Sequence, residues 1–109
     1  MLTDYIKKEW IKLDTEAENW EEAIEKGANE LLKDNVITKS YIEAMKKAVK
    51  DMGAYFVVTK NVALPHAKAE EGILKTGFGL VTLKDPVEFG NVDNDQVKYI
   101  FCLAIKSSN

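Results

Sequence analysis

The segment Thr76–Leu83, with the sequence TGFGLVTL, decides the fold class of this chain. It is apolar almost without interruption, and Val97–Ile105, VKYIFCLAI, has the same character. Short continuous apolar runs are typical of strands covered on both faces, because neither face presents a polar side to water. We therefore predict that these two segments form strands of a sheet that is buried on both sides.

Two amphipathic helices are predicted before these strands. Asn19 is placed to cap the first helix, whose apolar residues recur on one face. Thr38 or Ser40 can cap the second helix, with Glu43 completing a Ser-x-x-Glu capping box, and Gly53 suits its C-terminal turn. Each helix therefore has an apolar stripe that can pack on the sheet.

Two shorter segments complete the predicted sheet. Glu9–Leu13 alternates polar and apolar residues, and Tyr55–Val58 is rich in β-forming residues. Helices packed on one sheet form an α/β or α+β sandwich. The 109 residues are enough for one domain, so we predict a single domain of this α/β or α+β class over residues 1–109.

Composition excludes several classes of function. The net charge is −3 and the charges are mixed, so no basic stripe is present to bind nucleic acid. No apolar run approaches the roughly 18–20 residues that span a bilayer, and no charged-then-apolar leader is visible. One cysteine and one histidine are too few for a structural zinc site. We expect a cytoplasmic protein without direct membrane insertion.

The single histidine lies in residues 61–68, NVALPHAK. Pro65 fixes its own φ and restrains Leu64 to extended conformations, so His66 should follow a rigid bend at the end of a strand. A neutral imidazole at that place can act as a nucleophile, a base or a ligand. From composition alone, a histidine that merely caps a turn is the favoured interpretation, because lone histidines are usually structural or solvent-exposed.

The segment Ala63–Ala67, ALPHA, resembles the active-site signature of the type-2 IIA domains of the phosphotransferase system, the mannitol/fructose/ascorbate class. The likeness extends in order and spacing over nearly the whole chain, through EAI at 22–24, LL at 31–32, YIEAM at 41–45, KTG at 75–77, VEFG at 87–90 and FCLA at 101–104. Residues 53–58 followed by 65–68 are most similar to the ascorbate-type branch.

This resemblance implies the mannitol/fructose-type IIA fold, which is an α/β fold with a mixed β-sheet flanked by helices. It also implies that the chain is a phosphoryl carrier. In the family, the histidine at the position of His66 accepts a phosphoryl group from the phosphocarrier protein HPr and transfers it to a cysteine of a IIB domain. HPr and a IIB domain are therefore the expected partners in sugar uptake, through small transient contacts. Neither a metal nor an organic cofactor is implied.

The resemblance also suggests residues that support the phosphate. Several relatives carry an arginine at the position of Ala48, and the ascorbate-type branch tolerates the loss of this arginine. Lys68 is the nearest cation in sequence that could take the place of the arginine. Asn61, Thr59 and Asn91 are candidates for support of the phosphate or the ring. A solvated lysine and ordinary loop or strand-edge roles are the alternatives.

Members of the family continue past the last strand with a second histidine and two helices, whereas this sequence stops at Ser107–Asn109. We therefore expect a C-terminally incomplete domain that lacks the last two helices. An apolar sheet face built from Phe78, Leu80, Phe101 and Leu103 would then be uncovered. Large uncovered apolar faces favour association, so a homodimer through this face is a further expectation.

Other functions are compatible with the same sequence. One is a regulatory IIA-like module, and another is a non-catalytic interaction module that binds through its sheet. A different enzyme with His66 as general base ranks last, because no serine nucleophile motif or carboxylate pair stands near it. Cys102 lies in a strand-like run without following glycines, so we assign it to the core rather than to phosphate transfer.

Overall fold

The two apolar segments of the sequence lie side by side in the middle of a five-stranded sheet. The computed structural model describes residues 2–106, so the predictions for Ser107–Asn109 lie outside the described residues. The strands are β1 (Ile11–Thr15), β2 (Val57–Thr59), β3 (Val62–Ala63), β4 (Gly77–Val87) and β5 (Val97–Ala104). Their order is β1-β4-β5-β3-β2. The pairs β1–β4 and β3–β5 are parallel and the others antiparallel, which confirms the predicted mixed sheet.

The two predicted helices are present and short 3-10 turns surround them. The helices are α1 (Trp20–Lys33) and α2 (Lys39–Met52), and the 3-10 turns are Leu2–Tyr5, Lys8–Trp10, Gly53–Phe56 and Ala69–Glu71. The strand predicted over Tyr55–Val58 begins only at Val57, because Gly53 keeps a right-handed φ of −50° and the chain continues from α2 into a 3-10 turn. Within residues 2–106, no helix is long and apolar enough to cross a membrane.

Asn19 caps α1 as predicted. Its side-chain Oδ1 accepts a hydrogen bond from the backbone N–H of Glu22 at 2.9 Å, which satisfies one of the free donors at the helix N-terminus.

Replacing Asn19 by alanine should lower the free energy of unfolding by about 1 kcal/mol, because that N–H loses its acceptor. Thermal and urea denaturation would measure the loss. Asn19→Asp is the matched control, because a carboxylate keeps the cap and favours the positive end of the helix dipole. Equal losses in both variants would contradict the capping role.

The predicted Ser40–Glu43 capping box is wrong. Helix α2 begins at Lys39 with Thr38 at the N-cap position, so Ser40 already lies inside the helix. The Ser40 hydroxyl donates to the carbonyl of Glu71 at 2.9 Å. The neighbouring Thr38 hydroxyl contacts the carbonyl of Gly72 at 3.3 Å. These hydroxyls therefore tie the start of α2 to residues 71–72, which follow His66 in the chain, instead of capping the helix.

Only one face of the sheet is fully buried in the described residues, so the prediction of coverage on both faces is wrong. Helix α1 packs on this face so closely that a side chain at Gly79 would place its Cβ 2.5 Å from the carbonyl oxygen of Gly27. The opposite face carries cross-strand neighbours that are half-buried, the pairs Phe78–Leu103 and Leu80–Phe101. These four residues, which we call the open apolar face, are the ones that the sequence singled out.

Candidate functional site

His66 lies where the chain leaves β3 and passes the end of β5. The Leu64 N–H donates to the carbonyl of Phe56 at 2.8 Å, and the Pro65 carbonyl accepts from the Leu103 N–H at 3.2 Å. Pro65 is buried, whereas His66 is exposed. The backbone before the histidine is therefore fixed on both sides, and its side chain stands at the surface.

The imidazole of His66 is held through one of its two nitrogens. Nδ1 lies 2.7 Å from the carbonyl oxygen of Leu64, and a carbonyl can only accept, so Nδ1 must carry the hydrogen. The ring also packs against Phe56 in a T-shaped arrangement, with 5.1 Å between ring centroids and 84° between planes. The neutral imidazole therefore has its free lone pair on Nε2, which is the nitrogen available for nucleophilic attack.

An open groove of about 680 Å³ runs beside the imidazole, between α2 and residues 66–71. Ala44 and Ala48, one helical turn apart, line it together with His66 and Lys68. Ala48 thus lines the groove but has no charged group with which to bind an anion. Lys68 is exposed and, among the side chains of residues 2–106, forms no ion pair. Its ammonium group is available for an anion in the groove.

The structure does not bring Thr59 or Asn61 beside the imidazole. The Asn61 carbonyl accepts from Lys98 N–H at 2.8 Å, whereas Leu103 N–H donates to Pro65 at 3.2 Å. From residue 98 to residue 103, a strand advances about 16 Å at about 3.3 Å per residue. Thr59 ends β2 at the same distant turn. Both side chains are near the histidine in sequence and are separated from it by an extended strand.

Asn91 is engaged in holding the loop between β4 and β5. Its amide nitrogen donates to the carbonyl of Ala54 at 3.0 Å, and its Oδ1 accepts from the N–H groups of Asp93 at 3.0 Å and Asn94 at 2.9 Å. The Asp95 carboxylate completes this loop by accepting from the Asn91 N–H at 2.9 Å. The side chain of Asn91 therefore links this loop to residue 54.

Cys102 belongs to the core, as predicted. It is fully buried, and burial raises the pKa of its thiol to about 12, so the sulfur stays protonated at neutral pH. In the part of the chain that the structure describes, no three His, Cys, Asp or Glu side chains are grouped to hold a metal ion.

Sequence reasoning missed three groups that hold the histidine. They are the Leu64 carbonyl, the ring of Phe56 and the hydroxyl of Tyr41, which accepts from the Ala67 N–H at 3.0 Å. Tyr41 lies on the buried side of α2, and its ring is 1% exposed. The only sequence signal for the hydroxyl was a tyrosine on a core-facing stripe, since a buried phenol needs a polar partner.

All residues of the site described above lie in a region of the chain that matches one protein-family model. The family model for the phosphoenolpyruvate-dependent sugar phosphotransferase system, EIIA 2, matches residues 4–109. The chain belongs to this EIIA family. The resemblance inferred from the ordered motifs is thereby confirmed.

Relatives and solved structures agree with this assignment. The ascorbate-specific PTS system EIIA component of Escherichia coli (strain K12) is 42% identical over 99 residues, which are 91% of this chain and 64% of that protein. The solution structure of the mannitol-specific cryptic phosphotransferase enzyme IIA CmtB from Escherichia coli has a TM-score of 0.87 at 34% identity. That match covers 98% of this chain and 72% of the other.

A second structural match is a complex. Enzyme IIA-mannitol bound to phosphorylated enzyme IIB-mannitol, from Escherichia coli, matches with a TM-score of 0.81 at 25% identity, over 95% of this chain and 74% of that one. The mannitol-type IIA fold predicted for this EIIA domain is therefore confirmed. The chain spans slightly less than two thirds of the length of the curated relative described above.

Proposed function

We propose that this EIIA domain is a phosphoryl carrier whose phosphate acceptor is Nε2 of His66. The observation that supports this most directly is the hydrogen bond from Nδ1 to the Leu64 carbonyl at 2.7 Å. It leaves the nucleophilic lone pair on Nε2 of an exposed ring. Histidine can thus receive and release a phosphoryl group without a metal or an organic cofactor.

The proposed transfer needs positioning and charge stabilisation more than other chemistry. The Nε2 lone pair attacks the phosphorus of phospho-HPr, and a nitrogen–phosphorus bond forms as the bond to the donor histidine breaks. The departing donor nitrogen keeps the electron pair of the broken bond. Nδ1 retains its proton, and the Leu64 carbonyl stabilises the positive charge that the phosphorylated ring acquires. Attack by a IIB cysteine thiolate then regenerates the neutral imidazole of His66.

The proposed partners and setting follow from the relatives. A IIA–IIB complex is known for the mannitol-type structural match, which supports a IIB domain as the phosphate recipient. The ascorbate-specific relative supports a role in uptake of ascorbate or a similar substrate, in the cytoplasm where HPr would reach the domain. Self-association through the open apolar face is part of this proposal, and its half-buried aromatic and leucine side chains support it.

Phosphorylation of the purified chain tests this function. The chain is incubated with enzyme I, HPr and phosphoenolpyruvate, and the product is read by intact mass and by ¹⁵N NMR of the imidazole. We expect one added phosphoryl group, bonded to Nε2. A demonstrably folded chain that gains no phosphate would overturn the proposal, and phosphate on Nδ1 would overturn the assignment of the acceptor nitrogen.

Lys68 should contribute modestly to phosphate uptake. Its unpaired ammonium lines the same groove as the imidazole, but it is solvent-exposed, so screening limits its effect to about 0.5–1 kcal/mol. We expect Lys68→Met to lower the initial rate of uptake about 2- to 5-fold. Lys60→Met, in the distant β2–β3 turn, is the matched control and should keep the wild-type rate. Equal rates for both variants would exclude Lys68 from the site.

A further inference from the structure

The hydroxyl of Tyr41 joins three separate parts of the molecule. Tyr41 lies on α2 and is 1% exposed. Its O–H donates to the Leu103 carbonyl on β5 at 2.6 Å, and its oxygen accepts from the N–H of Ala67 at 3.0 Å. The Ala67 carbonyl lies farther from the hydroxyl, at 3.4 Å. One buried phenol thus links a helix, the residue after the histidine and a central strand.

The same strand residue holds the backbone on both sides of the histidine. Leu103 N–H donates to the Pro65 carbonyl at 3.2 Å, directly before His66. The Leu103 carbonyl reaches Ala67, directly after His66, through the Tyr41 hydroxyl. Without that hydroxyl only the first of these two links would remain. The peptide unit that follows the histidine would then lose its connection to the sheet.

We propose that Tyr41 is a positioning residue for His66. By fixing the Ala67 amide, its hydroxyl sets the imidazole where Nδ1–H meets the Leu64 carbonyl, and so keeps the lone pair on Nε2. This inference rests on the proposed function of His66 as phosphate acceptor. Burial raises the pKa of Tyr41 to about 12, so the hydroxyl keeps the proton that it donates to Leu103 throughout the neutral range.

The variant Tyr41→Phe removes the hydroxyl and keeps the ring. The chain has one histidine, so the ¹⁵N signals of its two ring nitrogens report the tautomer without overlap. We expect Tyr41→Phe to convert a single Nδ1–H tautomer into a mixture with Nε2–H. The initial rate of phosphate uptake from phospho-HPr should fall about 10- to 100-fold, as is typical when a reacting group is misplaced by about 1 Å.

A matched control separates positioning from general loss of stability. Trp10 Nε1–H donates to the Asp34 carboxylate at 2.7 Å, which is also a hydrogen bond between distant elements. Asp34→Ala removes that bond in a part of the chain away from the groove. We expect this control to melt at a lower temperature but to keep the wild-type tautomer and rate. If Asp34→Ala and Tyr41→Phe changed both readouts equally, the positioning role would be refuted.

A folded Tyr41→Phe chain with the wild-type tautomer and rate would also refute it. If Tyr41→Phe does not fold, 3-fluorotyrosine at position 41 takes its place, because fluorine weakens the phenol oxygen as an acceptor at nearly constant size. The same tautomer shift, smaller in extent, is then expected, and an unchanged tautomer refutes the role. The tautomer is measured in the absence of phosphate. A wild-type chain that accepts no phosphate would therefore overturn the proposed function, whereas the ¹⁵N measurement of the tautomer would still decide the role of Tyr41.

Discussion

Replacing His66 by glutamine should abolish phosphate uptake from phospho-HPr. The chain has no other histidine, and an amide nitrogen has no free lone pair with which to attack phosphorus. The side chain is exposed, so the fold should survive with a change in unfolding free energy within about 0.5 kcal/mol. Intact mass after incubation with enzyme I, HPr and phosphoenolpyruvate measures the loss of phosphate, and circular dichroism with thermal melting checks the fold.

The variant Lys60→Met serves again as the reference for an exposed substitution that leaves uptake intact. Phosphate found on a folded His66→Gln chain would mean that another residue is the acceptor. In that case, proteolysis under mildly alkaline conditions would locate it, and the proposed function of the groove would have to be abandoned.

Replacing Gly79 by alanine should strongly destabilise the fold. The added Cβ would lie 2.5 Å from the backbone oxygen of Gly27, so α1 and β4 must move apart. The backbone fixes the position of the Cβ, and its neighbour is a backbone oxygen, so a side-chain rotation cannot relieve the contact. We expect a loss of about 3 kcal/mol in the free energy of unfolding, as for severe overpacking. The melting temperature should fall on the order of 15 °C.

Gly90→Ala provides the comparison for Gly79→Ala. A Cβ at Gly90 would meet no atom within 4 Å, but its φ of +90° is unfavourable for alanine. We therefore expect a smaller loss at Gly90, about 1 kcal/mol, from backbone strain alone. Urea denaturation of both variants measures the difference. A loss at Gly79 no larger than the loss at Gly90 would contradict the close contact between helix and strand.

Three features that depend on local sequence were predicted correctly. The Asn19 cap depends on a partner three residues away, and the apolar stripe of α1 depends on helical spacing. The position of His66 after a rigid bend follows from Pro65. These features need no knowledge of which segments meet in space.

Features that depend on contacts between distant segments were not predictable in this way. Ser40 fits a capping box by spacing, but the carbonyl of Glu71 competes for its hydroxyl. Asn61 is close to the histidine in sequence, yet an extended strand carries it away. The partners of the Tyr41 hydroxyl lie 26 and 62 residues further along the chain. Continuous apolar strands indicate that both faces of the sheet are apolar, but they do not indicate which elements cover each face.

The attachment of residues 66–72 to α2 has a consequence for how a partner would bind beside His66. The Tyr41 hydroxyl holds one end of this segment, and the hydroxyls of Thr38 and Ser40 hold the other. A segment that is already ordered loses little conformational entropy when a partner docks on it. Under the proposed function, the phosphate donor and the phosphate recipient would meet the same rigid surface through a small contact area. Little binding energy is then needed to order the site, so a small contact area is enough and each encounter can be brief.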